Sequence, residues 1–311
     1  MPASSIAFLF VAVDGRLRAG WRFLLAVVVF LVANMASRQV LRGLVSNQGL
    51  YEALFRPLTL LLLLAAFSAM LYLLDRVRRN PLTVMGLGTS RPWKKECLKG
   101  TLLGAGMVAA AVAAIAVVGE LSFQFVRPPA AWAVPLSAVL WVLASAAMLE
   151  EVAFRGYPFQ KLVEGIGPVG ATVLLSVLFG VLHLSNPHAS LWGFLNTVAI
   201  GVVLSIAYLR TGALWLPWGI HFGWNAMLGL VFGLPVSGTT GFSVLVAGTA
   251  HGPLWLTGGG YGIEASATGA VVVFLGLAAL WRMTSSPETA EMQAPFPERA
   301  KHPFPPDSIQ P

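Results

Sequence analysis

The stretch MLEEVAFRGYPFQKL, residues 148–162, decides the fold of this chain. It directly follows residues 134–147, a segment that contains no charged side chain. Two adjacent glutamates and an arginine therefore stand at the end of a segment apolar enough to enter a membrane. Because ionisable side chains at membrane depth are rare and costly, such residues usually serve a function.

The composition of the whole chain agrees with a membrane location. Of its 311 residues, 57% are hydrophobic and only 11% are charged, and the mean hydropathy is +0.75. Soluble domains carry about 25% charged residues, so this chain cannot cover a water-facing surface. The net charge is +7, and the basic residues that produce it lie between the apolar runs. They therefore indicate the topology of the chain in the membrane rather than nucleic-acid binding. The single cysteine, Cys97, excludes an internal disulfide.

The apolar runs predict an all-α, polytopic bundle of about eight transmembrane helices. Helices are expected because every backbone amide in lipid must be satisfied within its own helix or a closed barrel, and these runs are too long for barrel strands. The predicted spans are 21–40, 57–74, 101–121, 134–154, 168–184, 191–209, 214–234 and 267–283.

The distribution of basic residues predicts the orientation of this bundle. Sixteen of the 20 lysines and arginines fall on the side that holds both termini, whereas Arg38, Arg42, Arg56 and Arg127 fall on the other. The imbalance favours a bundle with both termini inside. Residues 1–20 are then a cytoplasmic segment and 21–284 the bundle, in which the first span acts as an uncleaved signal anchor. The proline-rich residues 285–311 are expected to be disordered.

The spacing of the polar groups predicts a shared site. The midpoint between Glu150 and His183 falls beside Gly167, inside EGIGPVG, which is typical of a helix-breaking turn. Each residue is then about 24 Å from that turn, at about 1.5 Å per residue, so the two reach the same depth on neighbouring helices. A second turn at 211–212 brings His221 and, one helical turn deeper, Asn225 towards the same level.

The two glutamates are expected to have different partners. Neighbouring helical residues point about 100° apart, so Glu150 and Glu151 are not expected to face one partner together. Arg155 lies four residues after Glu151, the favourable order for an ion pair, which predicts a structural clamp. Glu150 then faces His183. Asn196 is interpreted as an interhelical or second-layer residue.

Three motifs in this region carry a resemblance to a known family. EEVAFR (150–155), FGVLH (179–183) and HFGWN (221–225) resemble the EExxxR, FxxxH and HxxxN motifs of the CPBP family. This family comprises type II CAAX prenyl endopeptidases and bacterial Abi-type membrane proteases. The similarity extends over residues 148–266, which are therefore the protease-like core of the bundle.

The resemblance implies an intramembrane endopeptidase. On that view Glu150 is the general base and activates a water together with His183, while His221 and Asn225 stabilise the oxyanion. Alternatively Glu150, His183 and His221 hold a metal such as Zn²⁺, and the sequence leaves this choice open. The substrate would be a peptide or membrane protein, and the chain would lie in the bilayer of a cell membrane, expected to be a bacterial plasma membrane.

Two other functions are compatible with polar groups inside the membrane. The chain could be a non-catalytic membrane partner, such as a bacteriocin-immunity or scaffold protein, that retains the family's polar core. It could also be a proton-coupled transporter, since such proteins place Glu and His at mid-membrane. The complete set of motif residues favours the enzyme over the scaffold. The absence of an internal repeat in the sequence disfavours the transporter.

Overall fold

The computed structural model describes residues 9–12, 14–90, 92–118, 120–126 and 128–283 of the chain. The proline-rich tail predicted over 285–311 lies outside these residues. The described helices are α1 (Ala19–Leu44), α2 (Gln48–Leu73), α3 (Trp93–Val117), α4 (Ala133–Arg155), α5 (Tyr157–His183), α6 (Leu191–Thr211), α7 (Trp215–Asn225), the short α8 (Leu254–Thr257) and α9 (Ala267–Met283). Helix α7 continues as a π-helical segment, Ala226–Val231.

The all-α polytopic fold predicted from the sequence is confirmed. Among the described residues, five helical segments are long and apolar enough to cross a membrane by length and composition. They are α1, α2, α3, α6 and the 51-residue segment that α4 and α5 form together. The apolar helix α9 is shorter. The number of eight spans stays a prediction. A two-stranded antiparallel sheet, β1 (Leu121–Phe125) with β2 (Val246–Ala250), is the small departure from an all-helical chain.

Some helices begin earlier than the apolar runs suggested. The second span was expected to begin at Pro57, but α2 begins at Gln48 and contains that proline. The side chain of Asn47 accepts a hydrogen bond from the Leu50 amide and so caps the helix start. Hydropathy locates the segment that lipid can cover, and a helix can continue past it into polar surroundings.

The turn predicted near Gly167 is confirmed. Gly167 interrupts α5 with φ 78° and ψ 168°, a backbone conformation that glycine adopts at little cost. The rings of Phe154 and Phe179 lie edge to face with centroids 5.1 Å apart, so the chain has reversed direction between them. The second predicted turn is also present, because α6 ends at the left-handed Gly212.

Helices α3 and α7 cross with almost no space between their backbones. A Cβ atom added to Gly104 would lie 2.1 Å from the carbonyl oxygen of Ile220, and one added to Gly223 would lie 2.3 Å from that of Thr101. A Cβ atom added to Gly100 or Gly219 would likewise lie only 2.4 or 2.5 Å from a carbonyl oxygen of the facing helix. Small residues spaced four apart allow this approach between membrane helices. The crossing therefore fixes the part of α7 that carries the HFGWN motif.

A cluster of four charged residues ties α1 to α5, and we refer to it as the α1–α5 charge cluster. Arg22 donates to the carboxylates of Asp75 and Glu164. The Lys161 Nζ atom lies 2.7 Å from Asp75 Oδ1 and 2.9 Å from Glu164 Oε2. Arg22, Asp75 and Lys161 are buried. Two cations thus face two carboxylates, which closes this end of the bundle.

Candidate active site

A cavity of about 390 Å³ opens among the helices that carry the three motifs. Its lining includes five of the predicted site residues, namely Glu150, His183, Asn196, His221 and Asn225. The other two, Glu151 and Arg155, are fully buried just behind it. The two turns described above therefore bring the three motifs to one place, as their spacing predicted.

Glu151 holds two partners at once. Its Oε1 atom lies 3.3 Å from Arg155 Nη1, which confirms the predicted ion pair. The same oxygen lies 2.8 Å from His221 Nδ1. Because a carboxylate oxygen accepts, the Nδ1–H of His221 is the donor. The ion pair on α4 thus also orients the imidazole of α7, a contact that the sequence did not predict.

Glu150 also faces His221, so the expectation that the two glutamates would not share a partner was wrong. Glu150 Oε2 lies 3.7 Å from His221 Nε2, while Glu151 lies at Nδ1. The physical reason is that an imidazole has nitrogens on two edges, so one ring can stand between two carboxylates that leave a helix about 100° apart. Glu150 Oε1 lies 3.8 Å from Arg56 Nη1.

Glu150 has one oxygen free for chemistry. Its Oε2 atom is buried and has no hydrogen-bond partner among the residues that the structure describes. A buried acceptor without a partner costs free energy, and it is a position where a water or a substrate group gains a hydrogen bond. Glu150 itself lines the cavity, and His221 Nε2 lies 3.7 Å from this oxygen.

Arg155 and Phe179 support the site from behind. Arg155 Nη2 donates to the carbonyl oxygen of Gly201 at 3.0 Å, which links α4 to α6. Its guanidinium lies 4.8 Å from the centre of the Phe179 ring. That ring also lies 4.5 Å from the ring of His183 and 6.1 Å from that of His221. The phenylalanine of the second motif therefore packs against both histidines and the arginine.

The contact of His183 with the backbone determines which of its nitrogens can act as a base. His183 Nδ1 lies 2.7 Å from the carbonyl oxygen of Phe179. A carbonyl oxygen only accepts, so Nδ1 carries a proton and neutral His183 presents an unprotonated Nε2. Among the described residues no hydrogen bond joins His183 to Glu150, and the two meet only across the cavity. The predicted approach to one shared water stays a prediction.

The two asparagines differ in their surroundings. Asn225 is half-buried and lines the cavity one helical turn beyond His221. Asn196 is buried, and its Nδ2 atom donates to the carbonyl oxygens of Glu264 and Ser266 at 2.9 and 2.8 Å. Asn196 thereby anchors the chain that enters α9 to helix α6.

Glu264 lines the same cavity and was not among the predicted site residues. It lies in a 3-10 turn, Ile263–Ala265, outside the long helices. Its Oε1 atom accepts from Trp224 Nε1 at 3.0 Å, and its Oε2 atom accepts from the Ser237 amide. Burial raises the pKa of this carboxyl group. One signal was available in the sequence, because Glu264 is the only acidic residue between Glu164 and Glu288.

The described residues do not form the metal site that the sequence left open. Among them, no group of three or more His, Cys, Asp or Glu side chains is arranged to hold a metal ion. His221 donates Nδ1–H to Glu151 and His183 donates Nδ1–H to a carbonyl oxygen, so only the Nε2 atoms of the two rings could face an ion. The three candidates Glu150, His183 and His221 do not fit a common ligand set, so no catalytic step is derived through a metal here.

Comparisons with known proteins agree with the resemblance carried by the motifs. Residues 130–227 match the family described as "Type II CAAX prenyl endopeptidase Rce1-like". The chain is 31% identical over 159 residues to the Bacillus subtilis (strain 168) "Uncharacterized protein YyaK", covering 47% of this chain and 50% of that protein. It is 30% identical over 96 residues to the "Putative membrane peptidase YdiL" of the same organism, covering 31% of this chain and 37% of that protein.

These similarities place the motif region of this chain beside a family of membrane endopeptidases. The chain spans about half the length of the first relative and about a third of the second. No solved structure matches the chain significantly. The matched region, 130–227, contains all three motifs and contributes much of the lining of the cavity.

Proposed function

We propose that this protein is an intramembrane endopeptidase in which Glu150 is the general base. The observation that carries the proposal is that Glu150, whose Oε2 atom accepts no hydrogen bond among the described residues, lines one cavity together with His183, His221 and Asn225. A carboxylate held among apolar helices, with one oxygen free, can take a proton from a water positioned beside it. Such general base catalysis contributes about 100 to 10,000-fold to a rate.

The proposed reaction is the hydrolysis of one peptide bond. A water between Glu150 and His183 attacks the carbonyl carbon, and its proton passes to the Glu150 carboxylate. The carbonyl oxygen becomes an oxyanion, which Asn225 stabilises by donating an amide N–H. His221 donates its Nε2–H to the same oxygen as an imidazolium, the form that carboxylates at both of its nitrogens favour. Glu150 then returns the proton to the leaving nitrogen as the carbon–nitrogen bond breaks. The products are a carboxylic acid and an amine, so atoms and protons balance.

The contacts behind the cavity are suited to this division of roles. His221 donates Nδ1–H to Glu151, so its Nε2 edge remains directed at Glu150 and the reacting centre. The Glu151–Arg155 pair holds that imidazole without itself lining the cavity. A donor that is already oriented loses no energy in reorganisation when the oxyanion forms, and one such donor is worth about 100 to 1,000-fold in rate.

The substrate in this proposal is a peptide segment that reaches the cavity within the bilayer. The chain is a multi-pass membrane protein by the composition of its helices, and the proposed location is a bacterial plasma membrane. The two relatives reported above are both proteins of the bacterium Bacillus subtilis. The name of the matched family refers to the cleavage of prenylated proteins. The substrate proposed for this chain does not include prenylated proteins.

Incubation of the purified protein with a peptide library in detergent tests the proposal. Mass spectrometry is expected to find discrete cleavage products with the wild type and none with Glu150→Gln at equal folded concentration. Glutamine preserves the size of the side chain but cannot take up the proton of water. Cleavage by Glu150→Gln at the wild-type rate would contradict the role of Glu150. The absence of any product from the wild type across the library would contradict the enzymatic function.

A further inference from the structure

A second cavity lies where α1 connects to α2. Its volume is about 440 Å³, and the residues that line it all fall between positions 38 and 56. It is distinct from the cavity that contains Glu150, although the two share Arg38, Phe55 and Arg56. None of its residues belongs to the matched region 130–227, and the function proposed above uses none of them. This cavity therefore needs an explanation of its own.

The charges around the second cavity are unbalanced. Arg38, Arg42 and Arg56 line it together with a single acidic residue, Glu52, whose carboxylate already accepts a hydrogen bond from Gln48 Nε2 at 2.7 Å. In the predicted orientation only four of the 20 basic residues lie on this side of the membrane, and three of those four line this cavity. Because basic residues are depleted on that side, their convergence indicates an anionic ligand rather than a topology signal.

The arginines of α1 are suited to hold a phosphate group. Within the described part of the chain, Arg38 forms no ion pair, and its guanidinium rests 5.3 Å from the centre of the Phe55 ring. Arg42 follows four residues later on the same face of α1 and is exposed. A guanidinium carries its N–H donors in a planar fork that matches two oxygens of a phosphate, and stacking on an aromatic ring orients that fork.

Exposed apolar side chains alternate along both helices with the residues that line the cavity. They are Val40 and Leu44 on α1 and Leu50 and Leu54 on α2. The apolar spans predicted from the sequence end at position 40 and resume at 57, so this region lies at the level of the lipid headgroups. A ligand with an anionic head and apolar chains matches both the arginines and their surroundings.

We propose that the second cavity binds the phosphate group of an anionic phospholipid from the leaflet on that side of the membrane. Arg38 and Arg42 hold the phosphate oxygens, Arg56 adds positive charge, and the acyl chains lie against the exposed apolar residues of α1 and α2. A zwitterionic phospholipid fits less well, because its ammonium group is repelled by the excess of arginines. This inference does not depend on the proposed peptidase function.

A photoreactive lipid tests the site in the whole protein. The purified protein in neutral detergent is irradiated with phosphatidylglycerol that carries a diazirine near the start of one acyl chain, and mass spectrometry identifies the cross-linked peptides. We expect cross-links within residues 40–54. Phosphatidylcholine with the same diazirine is expected to give about 10-fold fewer there, because basic residues attract anionic lipids and not neutral ones. Equal labelling of residues 40–54 by both lipids would overturn the proposal.

Three variants locate the effect. Arg38→Gln and Arg42→Gln are each expected to reduce phosphatidylglycerol labelling of residues 40–54 by about 10-fold, the low end for loss of a hydrogen bond to a charged group. Lys99→Gln removes the same charge near the start of α3, on the side of the termini, and is expected to leave this labelling unchanged. An equal reduction in all three would mean that only the net charge matters, which would overturn the site. The melting temperature of each variant checks that it is folded.

A competition experiment distinguishes a lipid from a soluble phosphate. Unlabelled phosphatidylglycerol is expected to suppress the labelling of residues 40–54 in the wild type. Glycerol 3-phosphate presents a phosphate group without acyl chains, and at the same concentration it is expected to leave the labelling intact. Equal suppression by both compounds would identify a soluble phosphate as the ligand and overturn the assignment to a phospholipid. Suppression by neither would overturn the existence of a saturable site.

Discussion

Two clusters of buried charge lie in this bundle, and they differ in what surrounds them. Glu150, Glu151 and His221 border a cavity of about 390 Å³. The α1–α5 charge cluster, in contrast, contributes no residue to either of the two cavities described. In that cluster each cation meets both carboxylates.

The difference shows which feature marks a functional site inside a membrane bundle. Burial of charge does not suffice, because both clusters are buried. An oxygen without a partner does not suffice either, since Asp75 Oδ2 and Glu150 Oε2 both have none among the described residues. Of these two carboxylates, Glu150 is the one that lines either of the two described cavities. We therefore propose a chemical role for the cluster at Glu150 and a structural role for the α1–α5 charge cluster.

Apart from the loss of all cleavage in Glu150→Gln, the largest effect is expected at His183. His183→Asn removes the Nε2 atom that is proposed to act on the water with Glu150, so cleavage is expected to fall by about 100 to 10,000-fold. His188→Asn is the matched control, because it makes the same change just beyond the end of the helix, at a left-handed residue where asparagine is tolerated. Rates of library cleavage per folded molecule check both. Equal losses of cleavage in His183→Asn and His188→Asn would contradict a specific role of His183.

The next effect is expected in the α1–α5 charge cluster. Asp75→Asn leaves Arg22 and Lys161 with only one shared carboxylate, that of Glu164. Removing one member of a buried ion pair costs about 3–5 kcal/mol of unfolding free energy. We expect a marked drop in melting temperature but an unchanged cleavage rate per folded molecule. A variant as stable as the wild type would show that this cluster does not hold the bundle together.

A smaller effect, on both stability and cleavage, is expected for Glu151→Gln. Glu151 forms an ion pair with Arg155 and also holds the imidazole of His221. Glutamine can still accept the hydrogen bond from His221 through its carbonyl oxygen, but it leaves Arg155 without a buried counter-charge. The expected cost is about 3 kcal/mol of stability, the low end of the 3–5 kcal/mol for a buried ion pair that loses one member, because the hydrogen bond from His221 remains. A partial loss of cleavage is expected because His221 is held less firmly. Normal yield together with normal activity would contradict the clamp.

The smallest effect is expected at Glu264 and depends on pH. Burial raises the pKa of its carboxyl group in the folded protein. A raised carboxyl pKa contributes stability below the unfolded pKa of about 4.3, and that contribution is lost as pH rises through the folded value. The melting temperature of the wild type should therefore fall relative to Glu264→Gln as pH increases from acid towards neutral. A constant difference across that range would contradict the burial of an ionisable group at this position.

Much of the site was predictable because it depends on counting residues along helices. The distance from Glu150 to His183 and the glycine midway between them place both residues at one depth, and Gly167 does interrupt the helix there. The Glu151–Arg155 pair follows from their spacing in the same way. Spacing along a helix fixes rise and angle, and these determine where a side chain begins.

Other features depend on packing between helices, which spacing does not determine. The His221 ring stands between two glutamates because α3 and α7 touch at their glycines, a contact in three dimensions. The patterns Gly100–Gly104 and Gly219–Gly223 were visible as small residues four apart, and they could have indicated this crossing. Glu264 reaches the cavity through an irregular segment that follows neither helical nor strand periodicity.

The most direct test of the division between the two clusters is one substitution made in each. Glu150→Gln and Glu164→Gln are compared with the wild type for cleavage rate per folded molecule and for melting temperature in the same detergent. The division predicts that Glu150→Gln melts like the wild type but cleaves no peptide, whereas Glu164→Gln melts at a lower temperature and cleaves at the wild-type rate. Equal cleavage by the wild type and Glu150→Gln, or loss of cleavage by both variants, would contradict it.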